Sequence, residues 1–235
     1  MNLNSLIFLK DCCQFLPSIA ANSVDLIATD PPYAINYAEW DKELDWEFLA
    51  NQFNRVLKPK GSLVLFQGWS HVAETKSVLE RHMELKNWIV WDRIKGRGAK
   101  TNFVSTREDI LWFIKDSKSF TFNKVPSNTP KKTGGMGKKN GQLNRALTNV
   151  WYDISPIVPW SKEKVQHPTQ KPVQIMERIV KIWSNPGDVV LDPFMGSGTT
   201  GIAALNLDRK FLGVESNSDY YKIANKRLLD ILNKS

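Results

Sequence analysis

Short apolar runs alternate with stretches of helical apolar spacing along most of this chain, and this alternation limits the folds open to it. Buried strands are predicted at residues 6–9, 24–29, 62–66, 88–91, 110–114, 189–191 and 211–214. Helices are predicted at residues 46–57, 71–82, 173–183, 199–207 and 220–232. Strands that alternate with helices predict an α/β fold, in which a doubly wound and mostly parallel sheet carries helices on both faces.

The length and composition suit a globular chain with a sizeable core. The 235 residues are 42% hydrophobic and 24% charged, which is ordinary for a globular protein. No apolar run approaches the roughly 18 residues of a membrane-spanning helix, and the N-terminal segment lacks a recognisable secretory signal. The two cysteines, Cys12 and Cys13, are adjacent, which suits neither a disulfide framework nor a four-ligand zinc site. We therefore expect a cytoplasmic protein with no membrane partner and no metal.

The positive charge is concentrated in the middle of the chain. Residues 115–166 hold ten Lys or Arg against three acids, so +7 of the formal net charge of +8 falls there. The stretch also contains a Gly- and Lys-rich run, which is typical of a basic loop. We predict a catalytic body formed by residues 1–114 and 167–235, with residues 115–166 as a basic insertion. A solvated linker is the alternative interpretation, but five interleaved aromatic residues favour a binding lobe. These are Phe120, Phe122, Trp151, Tyr152 and Trp160.

A glycine-rich loop lies near the C-terminus, between a predicted strand and a predicted helix. Gly196, Gly198 and Gly201 satisfy the spacing G-x-G-x-x-G, and Glu215 ends the next strand 19 positions after Gly196. Glycines let a ligand approach the backbone, and an acid at the next strand end can accept hydrogen bonds from two ribose hydroxyls. The pattern therefore suits any adenosine-bearing cofactor. A turn that needs glycine only for its backbone angles is the alternative.

The tetrad Asp30-Pro31-Pro32-Tyr33 follows the predicted strand at 24–29, so it lies at the carboxyl end of a strand. The two prolines fix their φ angles and lack N–H groups, which leaves the carbonyls of Asp30 and Pro31 as rigid acceptors. A carboxylate, a fixed carbonyl and an aromatic ring together suit a flat group that carries an amino function. A stiff turn with a capping Asp is the alternative interpretation.

Taken together, these two motifs resemble those of the amino-methyltransferases of DNA, which use S-adenosylmethionine. The order also matches, because the tetrad comes first, a recognition region follows and the cofactor loop lies near the C-terminus. That circularly permuted order is the one called the beta class. Two further pieces are similar to the family's, Lys10-Asp11 after the first strand and His167-Pro-Thr-Gln-Lys-Pro172 before a helix. The resemblance covers nearly the whole chain except the recognition region, and it implies a Rossmann-like methyltransferase fold.

The resemblance implies a role for each matching residue. The catalytic residues would be Asp30, Pro31, Pro32 and Tyr33. The cofactor-binding residues would be Asp11, Thr169, Lys171, Phe194, Gly196, Gly198, Thr199, Thr200 and Glu215. Within that set, Asp11 would accept from the adenine amino group and Glu215 from the ribose hydroxyls. Thr169 and Lys171 would hold the carboxylate of the methionine portion, while Phe194 and the glycines line its sulfonium.

The implied reaction is methyl transfer to the exocyclic 6-amino group of adenine in double-stranded DNA, after the base is flipped out of the helix. Asp30 and the Pro31 carbonyl would accept the two amine hydrogens, and Tyr33 would stack on the base. Asp rather than Ser at the first tetrad position favours adenine over cytosine within the family. The residues expected to contact DNA are Lys131, Lys132, Lys138, Lys139 and Arg145. The resemblance adds a homodimer and a cognate restriction enzyme as candidate partners.

Several other interpretations stay open on the sequence alone. Within the family, the target is either adenine or the 4-amino group of cytosine, and related tetrads act on RNA or on protein glutamine. The glycine spacing also suits an NAD(P)-dependent oxidoreductase, although only 34 residues follow Gly201, too few for a second nucleotide-binding half. A basic DNA-binding module without activity is the remaining alternative. The +7 segment favours a nucleic acid over a protein as the substrate.

Overall fold

The structure is a computed structural model that describes residues 5–33, 41–97, 100–130 and 144–233. Strands of the described residues are β1 Ser5–Leu9, β2 Val24–Thr29, β3 Leu57–Gln67, β4 Glu84–Arg97, β5 Ser105–Ile114, β6 Pro126–Pro130, β7 Asn144–Ala146, β8 Val150–Trp151, β9 Val189–Asp192 and β10 Lys210–Glu215. Helices of the same residues are α1 Cys12–Phe15, α2 Trp46–Val56, α3 Val72–Leu79, α4 Val173–Trp183, α5 Thr199–Asn206 and α6 Ser218–Leu232, with a 3-10 turn at Leu16–Ser18.

Local sequence explains where the main helices begin and which face they bury. The side chain of Asp45 accepts a hydrogen bond from the Phe48 amide at the start of α2, and Asn217 caps α6 in the same way. The buried residues of α4 follow helical spacing and form one apolar face. They are Ile175, Met176, Ile179, Val180, Ile182 and Trp183.

Eight strands form one sheet in the order β1-β10-β9-β2-β3-β5-β4-β8. Neighbouring strands run parallel except at the β3–β5 and β5–β4 pairs, which are antiparallel. The predicted α/β class and mostly parallel sheet are thus confirmed. β6 and β7 pair separately as a two-stranded sheet.

The strand order places a crevice between the carboxyl ends of β2 and β9. The chain leaves β9 toward β10 on one side, and it leaves β2 toward β3 on the other. Connections that diverge in this way open a gap at the carboxyl edge of a doubly wound sheet, which is where such folds bind ligands. The two strand ends are tied together, since the Thr29 hydroxyl donates to the Asp192 carboxylate at 2.7 Å.

Apolar side chains cover both faces of the sheet. Alternate residues of β3 point to opposite sides, so Val64 and Phe66 join one core while Leu63 and Leu65 join the other. The first core includes residues of α4, α5 and α6, and the second includes residues of α1, α2 and α3. This is the arrangement of helices on both faces that the sequence predicts.

Part of the predicted basic insertion belongs to the body of the fold. β8 extends the main sheet next to β4, and Trp151 is 2% exposed within the core that α4 covers. Phe120 and Phe122 contact Trp112, with ring centroids 5.7 and 5.3 Å away. Trp151 therefore belongs to the body of the fold, whereas Phe122 is 47% exposed and its place in a binding lobe stays a prediction. The division at residues 115 and 166 remains a prediction.

Among the described residues, the longest helices are too short or too polar to cross a membrane.

Candidate active site

Asp30 is the first residue after β2, and its carboxylate is held on both sides. Oδ1 accepts a hydrogen bond from the Tyr33 hydroxyl at 2.7 Å, and Oδ2 lies 2.5 Å from Lys171 Nζ. The Tyr33 amide donates to Asp41 Oδ1 at 2.8 Å, which fixes the end of the tetrad. Burial raises the pKa of Tyr33 well above its usual value, and the negative charges of Asp30 and Glu108 raise it further. Tyr33 therefore stays a neutral hydrogen-bond donor.

The structure places Lys171 against this carboxylate. Besides Asp30, its ammonium lies 3.1 Å from Glu108 Oε2 on β5, and Arg93 on β4 lies 3.2 Å from the other Glu108 oxygen. Burial lowers the pKa of Lys171, but the charges of Asp30 and Glu108 outweigh this and raise its pKa above the ordinary value. Lys171 is thus a charged group in the catalytic cluster. Its predicted contact with the methionine carboxylate stays a prediction that these contacts do not support.

The three glycines of the loop have different reasons to lack a side chain. Gly196 and Gly198 have φ of +50° and +78°, where L residues are strained. A Cβ on Gly196 would also meet His167 Nε2 at 2.9 Å. Gly201 lies inside α5, where a Cβ would meet Phe211 at 2.6 Å. The first two therefore shape the loop, and the third lets α5 pack on the sheet.

Glu215 ends β10 and is bound to the glycine loop. Its Oε2 accepts from the Gly196 amide at 2.9 Å, and its Oε1 accepts from the Asn217 amide at 2.7 Å. Burial raises its pKa above the usual value for Glu, although these two amides work in the opposite direction. The carboxylate is thus oriented at the strand end, where the predicted acceptor for ribose hydroxyls belongs.

Asp192 is a structural carboxylate that the sequence interpretation did not assign to the site. It is 3% exposed, and it accepts from the hydroxyls of Thr29 and Thr200 at 2.7 and 2.5 Å. The Phe194 amide also donates to it, at 3.1 Å. Asp192 therefore connects β2, the glycine loop and α5. Its position as the last residue of a buried strand was the sequence signal for it.

Asp11 caps the short helix α1. Its Oδ1 accepts from the Cys13 amide at 2.8 Å and from the Gln14 amide at 3.3 Å. The ligand atoms of Asp11, Cys12 and Cys13 lie within 4.8 Å of one another. Burial raises the pKa of Cys12, and the neighbouring Cys13 and Asp11 raise it further. A metal needs the thiolate, so this group is poorly suited to hold one.

α6 and the segment before α4 fasten the glycine loop from outside. Arg227 on α6 donates to the Ser197 carbonyl at 2.6 Å, and the His167 ring lies 4.4 Å from the ring of Tyr220. Burial lowers the pKa of His167 to about 4, helped by the positive charges of Lys171, Lys164 and Arg227. His167 is therefore neutral at neutral pH. Arg227 has no sequence signal of its own, because an Arg on a helix is usually a surface residue.

The remaining predicted residues divide into scaffold and unplaced groups. The Thr200 hydroxyl donates a hydrogen bond to Asp192. The Thr199 hydroxyl lies within hydrogen-bond distance of the Ser197 hydroxyl and accepts from Arg227. Phe194 is partly buried and packs against the core that includes residues of α1, α2 and α3. Pro31 is buried, while Pro32 and Thr169 are half-buried. The predicted DNA contacts Lys131, Lys132, Lys138 and Lys139 lie outside the described residues. Arg145 lies in β7, with its side chain outside the part that the structure describes.

The residues at this edge fit an adenosine-bearing cofactor. Leu9 pairs with Glu215 in the parallel β1–β10 ladder, and the Lys10 amide donates to the Glu215 carbonyl at 2.9 Å. Asp11 and Glu215 therefore stand at adjacent strand ends, and both present carboxylates. One suits an adenine amino group and the other suits ribose hydroxyls. A Cβ on Gly196 or Gly198 would meet His167 or Ala224 of this chain, at 2.9 and 3.0 Å, so these glycines let the loop pack against its neighbours.

Fold and site together define an α/β enzyme that binds an adenosine-bearing cofactor. The Asp30 carboxylate near that cofactor site can accept hydrogen bonds from a second substrate. A family model described as DNA methylase matches residues 24–226. DNA adenine methyltransferase YhdJ of Escherichia coli (strain K12) is 37% identical over an alignment of 237 positions, which covers 93% of this chain and 80% of that protein. Type II methyltransferase M.HpaI of Haemophilus parainfluenzae is 35% identical over an alignment of 225 positions, which covers 91% of this chain and 70% of that protein.

A solved structure gives the same result. The crystal structure of the M1.HpyAVI-SAM complex has a TM-score of 0.70 and 34% sequence identity, and the match covers 95% of this chain and 100% of that chain. The chain belongs to the DNA methylase family, and its cofactor is S-adenosylmethionine. This result rules out the NAD(P)-dependent oxidoreductase that the glycine spacing alone allows.

Proposed function

We propose that this protein transfers a methyl group from S-adenosylmethionine to the 6-amino group of an adenine in double-stranded DNA. The observation that carries the proposal is the position of Asp30 at the end of β2. The neighbouring strand β9 leads into the glycine loop, and Glu215 ends the next strand, β10. Two acceptor sites, one for a cofactor and one for an amine, therefore meet at one crevice. The name of the YhdJ relative supports adenine as the target.

The chemical problem is that the target amine is a poor nucleophile, because its lone pair is delocalised into the ring. When bound, the cofactor supplies a methyl group on a positively charged sulfur. Asp30 and the Pro31 carbonyl accept the amine hydrogens, which localises the lone pair on the nitrogen and directs it at the methyl group. Preorganised acceptors of this kind are most effective in a site that excludes water. The proton leaves after transfer, so no residue has to act as a strong base.

Tyr33 has two roles in this proposal. In the structure its hydroxyl donates to Asp30 Oδ1, the same oxygen that a target amine would need. Arrival of the amine displaces the hydroxyl, and the ring is then available to stack on the base. Flipping the base costs a few kcal/mol of stacking and pairing, and stacking on an aromatic ring offsets about 1–3 kcal/mol of this.

The experiment compares wild type with Asp30→Ala, using labelled S-adenosylmethionine and duplex DNA. Asp30→Ala is expected to lose methyl transfer by at least about 100-fold, because removal of one preorganised oxyanion- or amine-binding group typically costs that much. Calorimetry is expected to show that this variant still binds the cofactor. Wild-type turnover by Asp30→Ala would refute the role assigned to Asp30.

A sharper test asks whether the base is flipped. DNA that carries 2-aminopurine at the target position is expected to gain fluorescence when wild-type protein binds, because the base leaves the stack. Unchanged fluorescence with full methylation of ordinary DNA would contradict base flipping while leaving the methyl transfer intact.

We also propose the cytoplasm as the place of action, with a second copy of the chain and a restriction enzyme as partners. The relative M.HpaI bears the name type II methyltransferase, which supports this setting. Sedimentation of the purified protein with and without DNA tests the dimer. Protection of methylated DNA against a co-encoded nuclease tests the restriction partner.

A further inference from the structure

Four charged side chains of alternating sign lie in one row that begins at Asp30 of the tetrad. Asp30 contacts Lys171 at 2.5 Å, Lys171 contacts Glu108 at 3.1 Å, and Glu108 contacts Arg93 at 3.2 Å. They come from the end of β2, the segment before α4, β5 and β4. Their charges cancel, so the row can be buried as a unit.

The ammonium of Lys171 is enclosed inside this row. The Lys171 side chain is 8% exposed. Besides the two carboxylates, it faces the rings of Phe66 at 4.9 Å and Tyr33 at 5.7 Å. An ammonium has three hydrogens to donate. Two carboxylates and two aromatic ring faces surround the ammonium of Lys171. Its described contacts are therefore with the catalytic side of the crevice and not with the glycine loop.

We propose that Lys171 is a positioning residue for the carboxylate of Asp30, and that Glu108 holds Lys171 in that position. Lys171 binds Oδ2 and so sets the rotation of the carboxylate. Oδ1, whose partner is the neutral Tyr33 hydroxyl, is left for the target amine. Neither Lys171 nor Glu108 touches the substrate, since both act through Asp30.

The energetic reason lies in the burial of the row. Glu108 and Asp30 side chains are only 15% and 22% exposed, so a carboxylate there loses much of its hydration. The ammonium replaces that hydration and stabilises both negative charges. Removal of one member leaves another charge without compensation, which is the costly way to change a buried ion pair. Loss of Glu108's charge is therefore expected to move Lys171 and, with it, Asp30.

The test variant is Glu108→Gln, which keeps the size of the side chain and one acceptor oxygen but removes the charge. We expect kcat for methyl transfer to fall by about 10- to 100-fold, as misplacement of a reacting group by a fraction of an ångström does. The KM for duplex DNA and the calorimetric Kd for S-adenosylmethionine are expected to change by less than about twofold. The same change at the surface residue Glu84, on the neighbouring strand β4, is the matched control and is expected to leave kcat unchanged.

A double-mutant cycle separates positioning from a general structural effect. In an Asp30→Asn background, Glu108→Gln is expected to cause no further loss of kcat, because its effect passes through Asp30. Additive losses would overturn the proposal. A rise in the cofactor Kd that matches the loss of kcat would also overturn it. That result would assign Lys171 to cofactor binding.

The variants Lys171→Met and Lys171→Arg provide a second test of the positioning role. Lys171→Met removes the ammonium, and Lys171→Arg keeps the positive charge and is expected to recover part of the lost kcat. Equal activity of the two variants would contradict a role for the charge. If Lys171→Met fails to fold, Glu108→Gln and Lys171→Arg still decide the question.

This inference rests on the proposed methyl transfer, and the two can fail separately. Absence of DNA methylation by wild-type protein would refute the proposed function. Methylation by wild type together with full activity of Glu108→Gln would refute the positioning role alone.

Discussion

At the scale of single residues, three carboxylates at the same edge of the sheet differ because their partners differ. Asp30 is held by an ammonium and a hydroxyl, Glu215 by two backbone amides, and Asp192 by two threonine hydroxyls and an amide. Glu215 is oriented by the amides of Gly196 and Asn217 at the end of β10. Asp192 is buried within the protein and ties elements together. In the proposed function, the same chemical group thus serves catalysis, cofactor binding and the scaffold.

Asp192 makes the stability of the protein depend on pH. Burial raises its pKa to about 7, although the hydroxyls of Thr200 and Thr29 favour its charged form. Between about pH 4 and pH 7 the native state therefore holds a proton that the unfolded chain has lost, so the free energy of unfolding falls as the pH rises. Asp192→Asn removes this effect.

We expect the free energy of unfolding of Asp192→Asn, relative to wild type, to rise by up to about 4 kcal/mol between pH 4 and pH 8. Denaturant unfolding of both proteins across this range measures the difference. A difference that stays constant with pH would contradict a shifted pKa at Asp192.

At the scale of secondary structure, the sequence predicts the elements that are buried and periodic. The seven predicted strands and five predicted helices are all present, because apolar runs and helical spacing report burial directly. β3 is longer than predicted, since it begins at Leu57 and continues through Lys58-Pro59-Lys60-Gly61. A register shift between Val24 and Leu26 in its pairing with β2 accommodates this stretch, which looked like a break in the sequence.

One strand that the sequence missed depends on a distant partner. β8 has two residues and is a strand only because it pairs with β4, some 60 positions earlier. Local spacing contains no information on that pairing. The contact of Lys171 with Asp30, 141 positions apart, was beyond prediction for the same reason. The tetrad and the glycine loop could be predicted because each is contiguous in the chain.

The third glycine of the loop tests the packing of α5. Gly201→Ala is expected to lower the free energy of unfolding by about 1–3 kcal/mol, because its Cβ would meet Phe211 at 2.6 Å and Leu228 at 2.8 Å. Thermal denaturation measures the loss. Asn206→Ala, at the exposed end of the same helix, is the control. A Gly201→Ala variant as stable as wild type would show that α5 moves to make room.

At the scale of the whole molecule, charge and chemistry are separated along the chain. The described residues of the catalytic edge lie before residue 115 or after residue 166, while residues 115–166 carry +7 of the net charge of +8. Positive charge attracts any polyanion, so it does not select DNA by itself. The family of the chain and the amine site proposed at Asp30 give that information, and we expect the basic residues to add affinity.

The basic residues give a salt-dependent prediction. Replacement of Lys131, Lys132, Lys138 and Lys139 by Ala is expected to weaken duplex DNA binding and to reduce the slope of log affinity against log salt by up to about 3.6, or about 0.9 for each lost phosphate contact. Cofactor binding is expected to stay unchanged. Four exposed lysines elsewhere, Lys181, Lys210, Lys222 and Lys226, provide a control of equal charge. An unaltered slope would make the segment a solvated linker.

The most direct measurement is the identity of the methylated nucleoside. Duplex DNA is incubated with the protein and S-adenosylmethionine, digested to nucleosides and analysed by mass spectrometry, with Asp30→Ala as the control. The account predicts N6-methyladenine with wild-type protein and none with the variant. N4-methylcytosine in its place, or no methylated nucleoside at all, would contradict the assignment of this chain as an adenine methyltransferase.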